Sequence, residues 1–323
     1  MSESQNQVSS SLRFVDIGAN LLDDRFTQGI YHEKKRHEPD LNEVIKRAAQ
    51  IGVKHIIMTA GTVEESANAV EQVRKLRAKT DEIHFSCTVG VHPTRCLQEF
   101  VENKEGTDEE SLQRLLEIAQ DGMTDGCVVA IGEIGLDYDR VQFCPKDVQQ
   151  KYLIRQLQVL AENTNLPLFL HNRSVGSDLY DILKEHQECW KEGGVVHSFD
   201  DTYELAMKFI DNLGLRIGLN GCSLRTEDNL RVAKNLPLDK ILLETDCPYC
   251  EVKRTHAGYQ HVQTIFPAKQ EKKFEMGVMV KGRCEPCQVI QVAEVVAGAK
   301  GLPLSEVADA CYKNSLELYN WKS

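Results

Sequence analysis

The stretch Cys127–Val128–Val129–Ala130–Ile131–Gly132–Glu133 is an apolar run that stops on a carboxylate. A run this short and this uniformly apolar suits a strand of a parallel sheet, covered by helices on both faces. Working outward, the same pattern recurs at residues 14–17, 55–59, 84–91, 167–170, 194–197, 215–219 and 240–243, which with 127–131 makes eight candidate strands. The segments between them carry helical periodicity. Residues 41–51 set Leu41, Val44, Ile45 and Ala48 on one face, and residues 148–163 do so with Leu153, Leu157 and Leu160. Gly52 and Gly214 stand where a helix should stop and the next strand begin. Eight strand–helix units over about 240 residues predict an α/β fold of the (β/α)8 TIM-barrel type. An open doubly wound sheet has fewer strands and a glycine-rich phosphate loop after the first, and no such loop follows residues 14–17.

The 323 residues, 41% hydrophobic and 27% charged, have a globular composition. They are expected to form one barrel domain over residues 12–321, preceded by a disordered polar tail at residues 1–11. An inserted loop is expected at residues 255–281, with Lys269, Lys272 and Lys273 clustered in it, and helices at 286–299 and 304–319 close the chain. No window approaches the roughly eighteen apolar residues of a membrane span, and the start is polar rather than signal-like. An intracellular protein, nuclear or cytoplasmic, with no membrane and no stable protein partner is therefore expected. The run Lys34–Lys35–Arg36 reads as a solvated face rather than an import signal.

A net charge of −11 argues against a general nucleic-acid coat protein, whose affinity comes from basic patches. Binding nucleic acid would require local compensation, which metal ions can supply. The cysteines number eleven, an odd count in a long chain, so reduced thiols buried as small core residues are expected.

The informative residues are the polar ones that interrupt the strand ends. Glu133 follows the fourth run, His171 the fifth, His197 ends the sixth, and Asp246 follows the eighth by way of Glu244–Thr245. Singly, each is explained as a hydrogen-bonded histidine or a helix-capping carboxylate. Four at equivalent strand ends are different, because a barrel gathers those ends into its active site. Mixed nitrogen and carboxylate donors there suit a divalent cation.

Gly132–Glu133–Ile134–Gly135–Leu136–Asp137, Leu170–His171–Asn172–Arg173, His197–Ser198–Phe199–Asp200 and Glu244–Thr245–Asp246–Cys247–Pro248, in that order, resemble the signatures of the TatD-type metal-dependent deoxyribonuclease family. Asp16–Ile17–Gly18–Ala19–Asn20–Leu21, Gly90–Val91–His92–Pro93 and Arg283–Cys284–Glu285–Pro286 add to the likeness, which spans residues 16–319. It looks closest to the eukaryotic TatD DNase domain-containing branch through Gln142–Phe143–Cys144–Pro145–Lys146–Asp147, Asn220–Gly221–Cys222–Ser223–Leu224 and Thr255–His256–Ala257–Gly258.

The resemblance implies an exonuclease, with endonuclease activity also known in the family, that cuts phosphodiester bonds of DNA. It also implies two metal ions bridged by Glu133, with His171, His197 and Asp246 completing the shells. His92 and Arg173 would face the substrate phosphate. Many relatives carry a His-x-His pair after the first strand; here those positions are Gly18 and Asn20, leaving Asp16 as a less certain ligand and Asn20, counted with His92 and Arg173 among the substrate-binding residues, offering an amide oxygen. A loosely held first ion favours Mg2+, with Mn2+ or Zn2+ as alternatives. The expected chemistry is in-line attack by metal-activated water with Asp246 as general base, while His92 and Arg173 stabilise the phosphoryl oxygens. Their plain readings are a turn residue before Pro93 and a surface salt bridge.

Two rivals stand beside this reading. The same metal barrel could hydrolyse a small amide, lactone or ester, since fold does not fix substrate. Cys247–Pro248–Tyr249–Cys250 has the spacing of thiol–disulfide enzymes, and with Cys284 and Cys287 it suggests a four-cysteine zinc clamp.

Overall fold

All eight apolar runs are strands: β1 (Phe14–Ala19), β2 (Val53–Met58), β3 (His84–Val89), β4 (Val128–Asp137), β5 (Leu168–Arg173), β6 (Gly194–His197), β7 (Arg216–Leu219) and β8 (Ile241–Leu243). They join one sheet in chain order. Between and after them come α1 (Leu41–Gln50), α2 (Val63–Arg77), α3 (Asp108–Met123), α4 (Lys146–Gln156), α5 (Asp178–Glu185), α6 (Tyr203–Leu213), α7 (Glu227–Asn235), α8 (Val289–Lys300) and α9 (Leu304–Leu318). The computed structural model describes residues 12–103 and 106–321; the tail expected at residues 1–11 lies outside them. Local chemistry sets the helix ends. Thr107 and Glu110 form a reciprocal capping box at the start of α3. Gly214 at φ +67° ends α6 with its amide on the Ile210 carbonyl, as the sequence predicts.

Two strands run further than their apolar patterns suggest. β4 continues past residue 131 to Asp137, and β5 past residue 170 to Arg173. Pairing continues because Ile134, Gly135, Leu136 and Asp137 align with Leu170, His171, Asn172 and Arg173. The apolar pattern ends where the polar residues begin, but the ladder does not. Glu133 and His171 are therefore inside strands rather than beyond them.

The chain forms two compact units, one comprising residues up to Ile56, Asp81–His84 and Leu219–Ser315, the other Ile57–Thr80, Phe85–Gly218 and Leu316 onward. In the second unit β3 to β7 pair in parallel. Helix α4 packs on β4 and sends two buried glutamines, seven positions apart and so on one helical face, to strand-end backbone. Gln149 accepts from the Asp137 amide at 2.8 Å and donates to the Asp137 carbonyl at 2.9 Å. Gln156 does the same for Val91 at 2.7 and 3.1 Å. Each amide thus satisfies a backbone donor and acceptor that burial would otherwise leave unpaired.

In the first unit the segment leaving β8 runs beside β1. The Asp246 amide donates to the Gly18 carbonyl at 2.8 Å and the Asn20 amide to the Cys247 carbonyl at 2.8 Å, so the last and first strands meet as a barrel requires. Arg283 is fully buried and forms a two-pronged pair with Asp40 at 2.7 and 2.6 Å, while its Nη2 also reaches Glu285 at 2.8 Å. Residues 255–281 are irregular apart from short turns and a two-residue ladder between Ala268–Lys269 and Met279–Val280. Their beginning is tied to α8, because buried Glu294 accepts from the Gln263 amide at 2.8 Å and the Thr264 amide at 3.0 Å. Lys34 and Lys35 lie exposed on a two-residue strand, in keeping with a solvated face.

Replacing Gln149 by leucine leaves the Asp137 amide and carbonyl unpaired in the interior. Each such group costs about 1–3 kcal/mol, so urea unfolding of Gln149→Leu should show at least about 2 kcal/mol less stability than wild type. Equal stability would mean that α4 does not fix the end of β4.

Candidate metal centre

Glu133 occupies a bulge. Ile131 aligns with Leu168, but the next aligned pair is Ile134 with Leu170, so β4 carries one residue more than β5 across this interval. Bulges re-aim a side chain, and they are frequent beside active sites. Two glycines permit it: a Cβ on Gly132 would run into the Phe169 carbonyl, and one on Gly135, at φ +147°, into that of His171.

The bulge presents Glu133 Oε1 to three imidazoles of the second unit. His171 Nδ1 lies 2.6 Å away, His197 Nε2 2.7 Å and His92 Nε2 3.5 Å. His171 and His197 are direct cross-strand partners, and their facing nitrogens are 3.2 Å apart. Donors around one tetrahedral Zn2+-sized ion sit about 3.3 Å from each other, given ligand bonds of about 2 Å. The two imidazole nitrogens have that spacing, Glu133 stands at hydrogen-bond distance from both, and the mixed nitrogen and carboxylate donors suit a divalent cation in chemistry. Burial alone would raise the Glu133 carboxyl, but the surrounding imidazoles hold it well below the usual carboxylate range.

A carboxylate absent from the sequence-derived site supports this set. Asp137 is fully buried, with both carboxylate oxygens lacking a hydrogen-bond partner, and its Oδ2 lies 3.4 Å from His171 Nε2. A carboxylate behind a ligating imidazole fixes its ring and tautomer. Burial pulls His171 down, yet Asp137 and Glu133 on its two nitrogens hold it above its ordinary value. The missed signal was periodicity: Glu133, Gly135 and Asp137 alternate along β4, which puts their side chains on one face. Behind His197, the Phe169 ring stacks at 4.7 Å.

His92 differs from the other two. Its Nδ1 accepts from the Thr94 amide at 3.2 Å, capping the turn Pro93–Arg95, with the Thr94 hydroxyl at 2.8 Å. An accepting Nδ1 leaves the proton on Nε2, the atom facing Glu133. Burial pushes His92 down to about 3, so the ring is neutral and offers one N–H donor. The turn-residue reading and the phosphate-facing reading are thus compatible in one side chain. Arg173, 40% exposed, donates through Nε to Asp139 at 3.2 Å.

The remaining candidates lie in the first unit. Asp246 adopts φ +48°, a left-handed conformation that Asp tolerates better than most residues and that clusters at functional sites. Its Oδ1 accepts from the Asn20 side-chain amide at 3.0 Å, and that same NH2 reaches the Cys247 carbonyl at 3.1 Å. Asp16 is buried and accepts from the Thr245 hydroxyl at 2.6 Å, the Thr245 amide at 2.9 Å and the Gly18 amide at 3.3 Å. Burial pushes its carboxyl up to about 8, against the pull of these donors. Asp16 thus clasps the β8 exit, and Asn20 orients Asp246.

All eleven cysteines are free thiols, as expected, and all but Cys222 are buried. The thiol neighbouring Cys250 is that of Cys222, 2.9 Å away, rather than that of Cys247, its companion in the sequence motif. Burial pushes Cys247 well above the ordinary thiol range, and Cys222 followed by burial does so for Cys250. A thiol–disulfide enzyme needs the opposite shift. Cys284 and Cys287 contact the Thr245 carbonyl and Met279 sulfur.

A parallel (β/α)8 barrel whose strands carry a buried carboxylate among imidazoles belongs to the metal-dependent hydrolases. The chain is a member of the TatD related DNase family, whose profile matches residues 15–320, and it is therefore an enzyme of a hydrolytic family. It is 44% identical to the Deoxyribonuclease Tat-D of Schizosaccharomyces pombe over 95% of this chain and 96% of that one. It is 31% identical to the uncharacterized metal-dependent hydrolase YcfH of Escherichia coli K12 over 87% and 89%. A TatD family hydrolase structure from Entamoeba histolytica superposes with a TM-score of 0.87 at 36% identity, over 96% of this chain and 99% of that one. Among the described residues no helix is long and apolar enough to cross a membrane.

A bound ion stabilises the folded state by mass action, about 2.7 kcal/mol at a hundredfold excess over Kd. Mn2+ added to metal-stripped protein should raise the unfolding midpoint of wild type and leave that of His171→Ala unmoved. Asp137→Asn should weaken metal binding by about 10–100-fold in the same titration; unaltered affinity would deny Asp137 its role behind His171.

Proposed function

We propose that this protein is a divalent-metal-dependent deoxyribonuclease, an exonuclease with endonuclease activity also expected, that hydrolyses phosphodiester bonds of DNA. The observation that carries the reading is the set of imidazole nitrogens around one buried oxygen of Glu133. Membership of the TatD related DNase family and likeness to the fungal Deoxyribonuclease Tat-D support DNA as the substrate. We assign Glu133, His171, His197 and Asp246 as the residues that hold metal, two Mg2+ ions being the favoured complement. When bound, such ions supply an acidified water as nucleophile and neutralise charge developing on the phosphoryl oxygens.

The chain's own groups do the rest. Glu133 is kept ionised by the imidazoles around it, and Asp137 favours the proton on His171 Nε2, leaving the Nδ1 lone pair on the Glu133 side as a donor for metal. His92 presents a neutral Nε2–H to a phosphoryl oxygen, a donor that stays charge-neutral near pH 7. Arg173 exchanges its single contact with Asp139 for a two-pronged contact with phosphate. Asp246, its Oδ1 oriented by Asn20, accepts the proton of the attacking water. Asp16 is assigned a clasp role rather than a place among the strong ligands, because its oxygens are engaged by Thr245 and Gly18. A nuclear or cytoplasmic location without a stable protein partner completes the proposal.

Metal-stripped wild type and Glu133→Ala, incubated with end-labelled single- and double-stranded DNA across Mg2+, Mn2+ and Zn2+ titrations, test it. Wild type should cut once metal returns. The variant should be slower by more than about 10²-fold, the scale for removing one electrostatic stabiliser of the transition state. If neither protein cuts at any metal concentration, the phosphodiester assignment fails and a small amide, lactone or ester becomes the substrate to seek.

A further inference from the structure

Five residues after Asp246 the chain enters the wall of a cavity of about 560 Å3, whose lining lies wholly in the first unit. Ligand sites occupy about 300–1,000 Å3. Lys253, Arg254 and Lys281 line it; all three are exposed, and none has a carboxylate partner among the described residues. Glu251 is the one acid in the lining. The buried Arg283 also reaches the cavity, but its charge is engaged by Asp40 and Glu285. On a chain of net charge −11, a cavity with three available cations against one acid has the opposite sign to its surroundings.

The apolar part of the lining is as informative as the charge. Tyr259 and Phe266 are half-buried, and Ile265 is 60% exposed. These side chains are not on a loose loop. Tyr259 sits in a 3-10 turn, its amide on the His256 carbonyl at 3.0 Å, and the residues before Ile265 are held by Glu294. Aromatic faces on an anchored backbone beside unpaired cations recognise single-stranded nucleic acid: the cations follow the phosphates, and the rings accept a base of any sequence. A small anion would use the charge and leave the rings without a partner. A pre-ordered backbone also lowers the entropic cost of binding.

We propose that this cavity is a subsite for single-stranded DNA, with backbone phosphates on Lys253, Arg254 and Lys281 and a base against Tyr259 and Phe266. It rests on the nuclease reading above for the identity of the strand. Binding is read separately from cleavage: fluorescence anisotropy of fluorescein-labelled oligo(dT), in EDTA, with Glu133→Ala protein and with the same protein carrying Lys253→Ala, Arg254→Ala and Lys281→Ala. The triple change should raise Kd by about tenfold or more and flatten the plot of log affinity against log salt by about 2, near 0.7 for each phosphate no longer neutralised. Phe266→Ala with Tyr259→Ala should weaken binding by about fivefold or more and leave that slope unchanged. Lys253→Arg with Lys281→Arg should bind like the parent, which guards against a folding artefact. No retention of the oligonucleotide by the parent, or an unchanged Kd and slope in the triple variant, overturns the subsite. Metal-dependent cleavage of a dinucleotide by protein with Glu133 intact tests the nuclease reading alone. If that cleavage is absent while the triple variant still loses affinity, the subsite stands and the nuclease reading falls.

Discussion

A carboxylate removed from water must be given positive charge or hydrogen bonds or lose its own charge, and Glu133 meets that constraint among imidazoles. Its neighbours are imidazoles, and His92, pushed down to about 3 by burial, is neutral at physiological pH. A neutral His92 solvates the carboxylate without cancelling its charge, whereas His171, held above its ordinary value by Asp137 and Glu133 against the pull of burial, favours the ionised carboxylate. Much of the local architecture follows. The bulge aims Glu133, Gly132 and Gly135 let β5 approach, and the His171–His197 register sets two nitrogens against the same oxygen.

The fold was legible in the sequence because burial on both faces writes a strand as an apolar run, and all eight runs are strands. The Glu133–His171–His197 cluster was legible for the complementary reason: polar groups ending several such runs at equivalent strand ends point to one place. Strand ends were less legible, since Gly132 and Glu133 break the apolar pattern while hydrogen bonding continues to Asp137. Asp137 was missed as a consequence, for it lay beyond the end of the fourth apolar run. Gln149 and Gln156 could not have been found by pattern. A glutamine that bonds a distant backbone resembles any polar helix residue until the strand it touches is known.

Cysteine spacing shows the opposite failure, a pattern with more meaning in sequence than in space. Cys247 and Cys250 have the separation of a redox pair, yet the chain turns so that Cys250 meets Cys222, from the segment after β7; that contact and then burial raise the Cys250 thiol, and burial raises Cys247, instead of activating them. Spacing constrains only what two residues can do, whereas electrostatic surroundings decide which reaction is accessible.

The departure of this chain from the His-x-His pattern after β1 has its own logic. With Gly18 and Asn20 in those places, the segment after β1 offers carbonyls and an amide rather than imidazoles. The Gly18 carbonyl takes the Asp246 amide, Asn20 donates to the Asp246 carboxylate, and Asp16 holds Thr245 by both hydroxyl and amide. Three residues of one strand end thus act on a single neighbouring turn. Asp246 has a left-handed backbone, which costs free energy unless its surroundings hold it. The groups after β1 are therefore the restraint that keeps Asp246 in that conformation and gives its carboxylate a fixed orientation.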